Sequence, residues 1–234
     1  MSARETISPQ PRAFLFDAYG TLFDIYAVAQ PILAGLACDP RIFAQTWRQK
    51  QMEYTWLRTM MDRYEDFWKI TERALLATAR QLSVQLTDER TRQLMDAYLF
   101  TPAFADVKGA LESLEGLPLG VLSNGTPAML GAAIRNNGLE SHFSGVISAD
   151  RLRIYKPSPR VYAMGPEVLR VPAAEIFFIS SNWWDVAGAK AFGYTVCWCN
   201  RTGAEPEDMG FAPDYTVRCL GKIAEIVSRV RLGQ

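Results

Sequence analysis

The sequence predicts an α/β chain, a doubly wound parallel sheet carrying an inserted all-α block. Three observations carry that expectation. Short apolar runs end in polar, turn-forming residues at several points along the chain. Helical spacings separate most of these runs, and strands alternating with helices build right-handed crossovers and a parallel sheet. Between the first and second runs, no strand pattern interrupts residues 39–100.

Ala13-Phe14-Leu15-Phe16 reads as a buried strand that ends in Asp17 and a Gly20-Thr21 turn. A long helix is predicted from Asp39-Pro40, because Asp accepts backbone N–H groups at a helix start and Pro lacks the N–H that would be orphaned there. Its spacing continues through Trp47, Met52, Trp56 and Met60. Two more helices are expected over 67–82 and 88–100, the second capped by Thr87 with Asp88 and Glu89 in its first turn. Residues 117–122 form a second strand candidate, closed by Ser123-Asn124-Gly125. The helix after it stops at Gly138. Val146-Ile147 is a weaker strand, and a helix follows Lys156-Pro157. Further strands are predicted over 175–179, 194–199 and 215–217. The expected division is a core of residues 1–23 and 105–234, with a helical insertion of residues 24–104.

Composition narrows the function. With 25 Lys+Arg against 25 Asp+Glu, net charge is zero. No basic surplus favours nucleic acid, and no basic amphipathic segment favours a membrane surface. A small, neutral-to-anionic substrate is expected. Cys197 and Cys199 are two apart in an apolar run, so they do not make a CxxC metal or redox pair. Four cysteines are few for a disulfide scaffold, which suits a reducing compartment. Met1 to Arg12 has no apolar leader core, so a cytoplasmic protein is expected. His142 is the only histidine, which excludes a histidine triad or zinc cluster. Glycine-rich dinucleotide and P-loop fingerprints are absent. Tryptophans 47, 56, 68 and 198 read as core residues.

Three predicted strand ends carry polar groups: Asp17 to Thr21, Ser123-Asn124-Gly125, and Ser180-Ser181-Asn182-Trp183-Trp184-Asp185. Doubly wound sheets bind ligands outside the carboxyl ends of their strands, so these segments are expected at one crevice. Tyr155-Lys156-Pro157 can add a cation there. Two acids, one lysine and several hydroxyl and amide groups form an enzyme-like set.

In this order, Asp17-x-x-Gly-Thr-Leu-Phe-Asp24, Ser123-Asn124-Gly125, Lys156-Pro157 and the 180–185 loop resemble the four motifs of the haloacid dehalogenase superfamily. The resemblance spans about residues 13 to 220, and the 24–104 insertion resembles its cap domain. Phosphatases of that superfamily carry a second Asp two residues after the first, where this chain has Tyr19. Their fourth motif carries an acidic pair, where this chain has Ser180, Ser181 and Asn182 before Asp185. Mg²⁺ needs hard, mostly anionic oxygens, so a site with no metal and no cofactor is expected. Residues 47–58, Tyr155-Lys156-Pro157, Val161-Tyr162 and Trp184-Asp185 are similar to the L-2-haloacid dehalogenases.

That resemblance implies Asp17 as a carboxylate nucleophile toward a 2-haloacid, an aspartyl-ester intermediate, and a D-2-hydroxy acid and halide as products. It also implies a homodimer. Lys156 is the natural counter-charge, and Thr21 and Ser180 are expected to hold the oxygens of Asp17. Asp185 and Asn182 are expected to serve the hydrolytic water with Lys156. Ser123, Asn124 and the backbone at Ala18-Tyr19 are candidates for the substrate carboxylate, and Arg48 with Asn124 for the halide. Tyr19, Met52, Phe67 and Trp184 resemble the apolar pocket wall, and Tyr162 a residue near the lysine. Three other readings remain at this stage: a Mg²⁺-dependent phosphatase of the superfamily, a ring-opening hydrolase such as one acting on azetidine-2-carboxylate, and a catalytically silent binding protein.

Overall fold

Apolar runs buried on both faces are the mark of a parallel sheet covered on each side, and four of the strands are of this kind. The computed structural model describes residues 10–35 and 38–231. Most of the stretch read for a leader, residues 1–9, therefore lies outside the described residues.

The six strands are β1 (Ala13–Phe16), β2 (Leu119–Ser123), β3 (Gly145–Ser148), β4 (Ile176–Ser180), β5 (Thr195–Cys199) and β6 (Tyr215–Val217). All pairings are parallel, in the order β3-β2-β1-β4-β5-β6. Because strand side chains alternate, each apolar strand feeds two cores. Phe14, Phe16, Val121, Phe177 and Ile179 enter one core, while Ala13, Leu15, Leu122, Phe178 and Val196 enter the other.

The helices are α1 (Ile25–Leu33), α2 (Pro40–Met60), α3 (Phe67–Gln81), α4 (Asp88–Ala97), α5 (Val107–Glu112), α6 (Pro127–Asn136), α7 (Pro159–Tyr162), α8 (Met164–Leu169), α9 (Trp183–Phe192) and α10 (Ile223–Arg231). Asp39 caps α2 by accepting from the N–H of Arg41 at 2.7 Å, with Pro40 in the first turn. Thr87 caps α4 in the same way. Several details differ from the sequence expectation, among them α5, α9 and α10, which lie where no helix was set out. The helix predicted through Phe100 stops at Ala97 and tightens into a 3₁₀ turn at Tyr98–Phe100. A helix with no counterpart in the prediction, α1, is capped by Asp24 and contains Pro31.

Helices α1–α4 leave the sheet after β1 and return before α5. The departing and returning segments pair: Asp24 N–H donates to the Pro102 carbonyl at 2.8 Å, and Phe104 N–H to the Leu22 carbonyl at 3.0 Å. Phe43, Trp47, Phe67 and Ile70 of the helical block share one apolar cluster with Phe16 and Ile179 of the sheet. The block therefore packs over the carboxyl end of the strands.

Candidate active site

Chain order explains the crevice. β2 lies on one side of β1 and β4 on the other, so the loops after β1, β2 and β4 splay apart at that point. Asp17 follows β1 directly and is pinned by its N–H, which donates to the Ile179 carbonyl at 2.9 Å. The chain then turns sharply. The Ala18 carbonyl accepts from the N–H groups of Thr21, Leu22 and Phe23, and Gly20 supplies φ +90°.

This turn brings Thr21 back to the nucleophile. The Thr21 hydroxyl donates to Asp17 Oδ2 at 3.0 Å while accepting from Ser181 N–H at 2.8 Å. Asn182 Nδ2 donates to the same Oδ2 at 2.8 Å and to the Tyr19 carbonyl at 3.2 Å. Lys156 Nζ approaches Oδ1 at 3.0 Å. Both oxygens of Asp17 are thus held in place, and the residue is 5% exposed.

Lys156 is fully buried and also contacts Asp185 Oδ2 at 2.7 Å. Tyr162 donates its hydroxyl to Asp185 Oδ1 at 2.7 Å. The three charged groups sum to minus one in a dry site. Burial pulls the Lys156 pKa down, but the two carboxylates outweigh it and hold the ammonium above its ordinary range. Burial pushes the Asp185 carboxyl up to about 6, against the opposing pull of Lys156. Burial keeps the Tyr162 phenol protonated, so it remains a donor.

Around Asp17 and Lys156 lies a small cavity, lined also by Tyr19, Arg48, Met52, Phe67, Ser123, Asn124 and Trp184. It offers about 10 Å³ to the centre of a water-sized sphere. A surface depression of about 530 Å³ by Arg135, Val146 and Arg151 is far larger but contains none of the strand-end acids. Inside the small cavity, Asn124 Oδ1 accepts from Lys156 N–H at 2.8 Å. Its Nδ2 and the Tyr19 hydroxyl are buried without a partner. Orphaned buried polar groups are costly and call for a ligand or a function. Gly125 lets the loop approach closely, since a Cβ there would lie 2.8 Å from the Tyr19 ring.

The sequence model of the haloacid dehalogenase-like hydrolases matches residues 11–193. The chain belongs to that family. The (S)-2-haloacid dehalogenase of Pseudomonas sp. strain YL is 42% identical over 218 residues, covering 92% of this chain and 94% of the relative. Haloacetate dehalogenase H-2 of Moraxella sp. strain B is 38% identical over 218 residues, covering 92% and 97%. Among solved structures, the L-2-haloacid dehalogenase of Xanthobacter autotrophicus with chloropropionic acid covalently bound has a TM-score of 0.85 at 37% identity, covering 93% of this chain and 98% of that one.

In this haloacid dehalogenase-like hydrolase the residues singled out from sequence fall into three groups. Asp17, Tyr19, Arg48, Met52, Phe67, Ser123, Asn124, Lys156 and Trp184 meet at the cavity. Thr21, Asn182, Asp185 and Tyr162 stand behind it and hold its charged groups. Ser180 is placed differently from the expectation. The contact of the Ser180 hydroxyl is with Asn182 N–H, from which it accepts at 3.1 Å, so it braces the loop rather than an oxygen of Asp17. Ala18 is buried beside Asp17 and its carbonyl serves the turn; the role expected of the backbone N–H groups at Ala18-Tyr19 toward a substrate carboxylate stays a proposal. Tyr162, read as a residue near the lysine, bonds Asp185, which in turn contacts Lys156.

Three residues that sequence reading missed support the wall. Gln51, Thr71 and Tyr98 form a buried polar chain behind Arg48. The spacing of Arg48 and Gln51, three apart on α2, was the available signal. The donor set suits Mg²⁺ poorly: the ammonium of Lys156 sits between the two carboxylates at 3.0 and 2.7 Å, and Tyr19 stands where a second acid would be.

Proposed function

We propose that this hydrolase removes halide from short-chain L-2-haloalkanoic acids and releases D-2-hydroxy acids, with Asp17 as nucleophile and no metal. One observation carries the reading: an aimed, buried carboxylate paired with a lysine faces a small cavity walled on one part by Tyr19, Met52, Phe67 and Trp184 and on another by the donors Arg48, Ser123 and an unpartnered Asn124 amide.

An oxygen of Asp17 attacks Cα in line. The O–Cα bond forms as the carbon–halogen bond breaks, and halide leaves with the bonding pair. Cα inverts once. Water then attacks the carbonyl carbon of the Asp17 ester, the acyl C–O bond breaks, and the hydroxy acid departs with the former Asp17 oxygen. Configuration is untouched in this second step. The water's proton goes to the Lys156–Asp185 pair, whose carboxyl accepts protons near neutrality because burial raises it to about 6, and the pair returns a proton to the departing alkoxide oxygen, which becomes the product hydroxyl. Asp185 acts through Lys156, since both its oxygens are already engaged.

Arg48 and Asn124 are the donors for negative charge on the substrate, and Ser123 can donate its hydroxyl there. Tyr19, Met52, Phe67 and Trp184 exclude water from the nucleophile. The space present is about that of one water, so substrate enters as residues 24–104, the cap, part from the core. The proposal extends to a homodimer, which the resemblance implies, and to a cytoplasmic location, which the few, unpaired cysteines suit. Among the described residues, no helix is long and apolar enough to cross a membrane.

Isotope labelling tests the covalent route. In single turnover with excess enzyme in H₂¹⁸O, label should enter the Asp17 carboxylate and not the product hydroxyl. First-turnover label in the hydroxy acid, with Asp17 unlabelled, refutes it.

A further inference from the structure

Resting on the reading that Arg48 meets the negative charge of the substrate, we infer that Gln51 is the positioning residue that aims Arg48 without neutralising it. Arg48 makes no ion pair among the described residues. Its guanidinium donates through Nη1 to Gln51 Oε1 at 2.6 Å and through Nη2 to the Tyr19 carbonyl at 3.5 Å. Both acceptors are neutral. A carboxylate at position 51 would bond the same guanidinium at least as well, as charge-assisted bonds are the stronger, but it would cancel the positive charge on which an anion depends.

Gln51 is itself 0% exposed. Its Oε1 also accepts from the Tyr98 hydroxyl at 3.4 Å, and its Nε2 donates to Thr71 Oγ1 at 2.5 Å. Thr71 passes the chain on, donating to the Phe67 carbonyl at 2.6 Å. One buried amide therefore ties together two cavity-wall residues, Arg48 and Phe67, on two different helices. An apolar side chain would pack this interior at less desolvation cost. The buried network costs stability unless its members are satisfied, and here both polar atoms of the Gln51 side chain have partners.

The experiment compares Gln51→Glu with Gln51→Met, each alone and combined with Arg48→Met. Chloride release from L-2-chloropropionate is followed, over hours at high enzyme concentration for slow variants, alongside thermal melts. Gln51→Glu keeps the shape and the bond to Arg48 and exchanges the amide N–H to Thr71 for a bond that the Thr71 hydroxyl can turn to donate, so it should melt above Gln51→Met yet lose on the order of tenfold or more in kcat/KM. Gln51→Met lacks the bonds but adds no charge, so it should melt lower and yet remain the more active of the two. Both activity losses should shrink toward nothing beside Arg48→Met, because residues acting through one another are not additive. Activity that follows the melting order, with Gln51→Met the worse enzyme, overturns the inference and assigns Gln51 to packing. Losses that persist at full size beside Arg48→Met overturn it too. Wild-type kinetics in Arg48→Met alone would instead remove the parent reading of Arg48.

Discussion

Replacing Lys156 with Met is the sharpest perturbation of the site. The ammonium is fully buried at 3.0 Å from Asp17 and 2.7 Å from Asp185. At an effective dielectric near 20, each contact is worth about 6 kcal/mol before desolvation is subtracted. Methionine fills the space but leaves two carboxylates facing each other without a counter-charge. Breaking a buried ion pair from one side costs about 3–5 kcal/mol, or about 6–20 °C in Tm for a chain of this size. The loss should depend on pH in a set direction. Asp185 has a folded pKa above its unfolded value, so its protonated form favours folding. That contribution is complete below the ordinary carboxylate range and is lost as pH rises through the folded value, about 6 in the wild type. Without Lys156 the folded value moves higher. Above pH 6 the variant therefore keeps losing stability while the wild type has levelled, and the gap widens by about 1.4 kcal/mol per pH unit. Thermal and urea melts of both proteins from pH 5 to 8 measure it. A gap that stays constant, or that narrows as pH rises, refutes the electrostatic account of Lys156. Dehalogenation by the variant should fall below detection at every pH.

Other consequences are equally direct. Turnover of L-2-chloropropionate should survive excess EDTA, because an ammonium holds the place between Asp17 and Asp185; loss with rescue by Mg²⁺ counts against the proposal. Arg48→Lys keeps the charge but loses the planar fork that reaches Gln51 and Tyr19 together, so kcat/KM should drop on the order of tenfold, or about 1.4 kcal/mol; unchanged kinetics would make Arg48 structural only. Activity should rise with pH through about 6 as Asp185 ionises, and Tyr162→Phe, which removes a bond favouring the ionised form, should move that acidic limb to higher pH. An unmoved limb detaches Asp185 ionisation from the reaction.

Much of the fold was written locally. β1, β4 and β5 are buried on both faces, and such strands appear in sequence as unbroken apolar runs that end where the chain meets solvent and function. The caps of α2 and α4 were legible because Asp39-Pro40 and Thr87 act on backbone groups within three residues of themselves. Asp17 and the 180–185 loop with Asp185 could be listed because they follow strand ends, whereas Arg48, within α2, was reached through the resemblance. α1 escaped notice because Pro31 interrupts its pattern and Asp24 sits inside a motif read for another purpose. The remainder is through-space. No local signal orders the strands β3-β2-β1-β4-β5-β6, and pairing across long sequence separations settles that. Nor does spacing reveal that Tyr162 serves Asp185, 23 residues on, or that Asn182 reaches Asp17 across 165 residues. Ser180 and Gln51 show the same limit from opposite sides: one was expected at the nucleophile and braces its own loop, the other went unremarked and holds Arg48. Residue type states what a side chain can donate, accept or bury. Which partner receives it is decided when the sheet brings distant strand ends to about 3 Å from one another, because hydrogen bonds and ion pairs form only over such short distances.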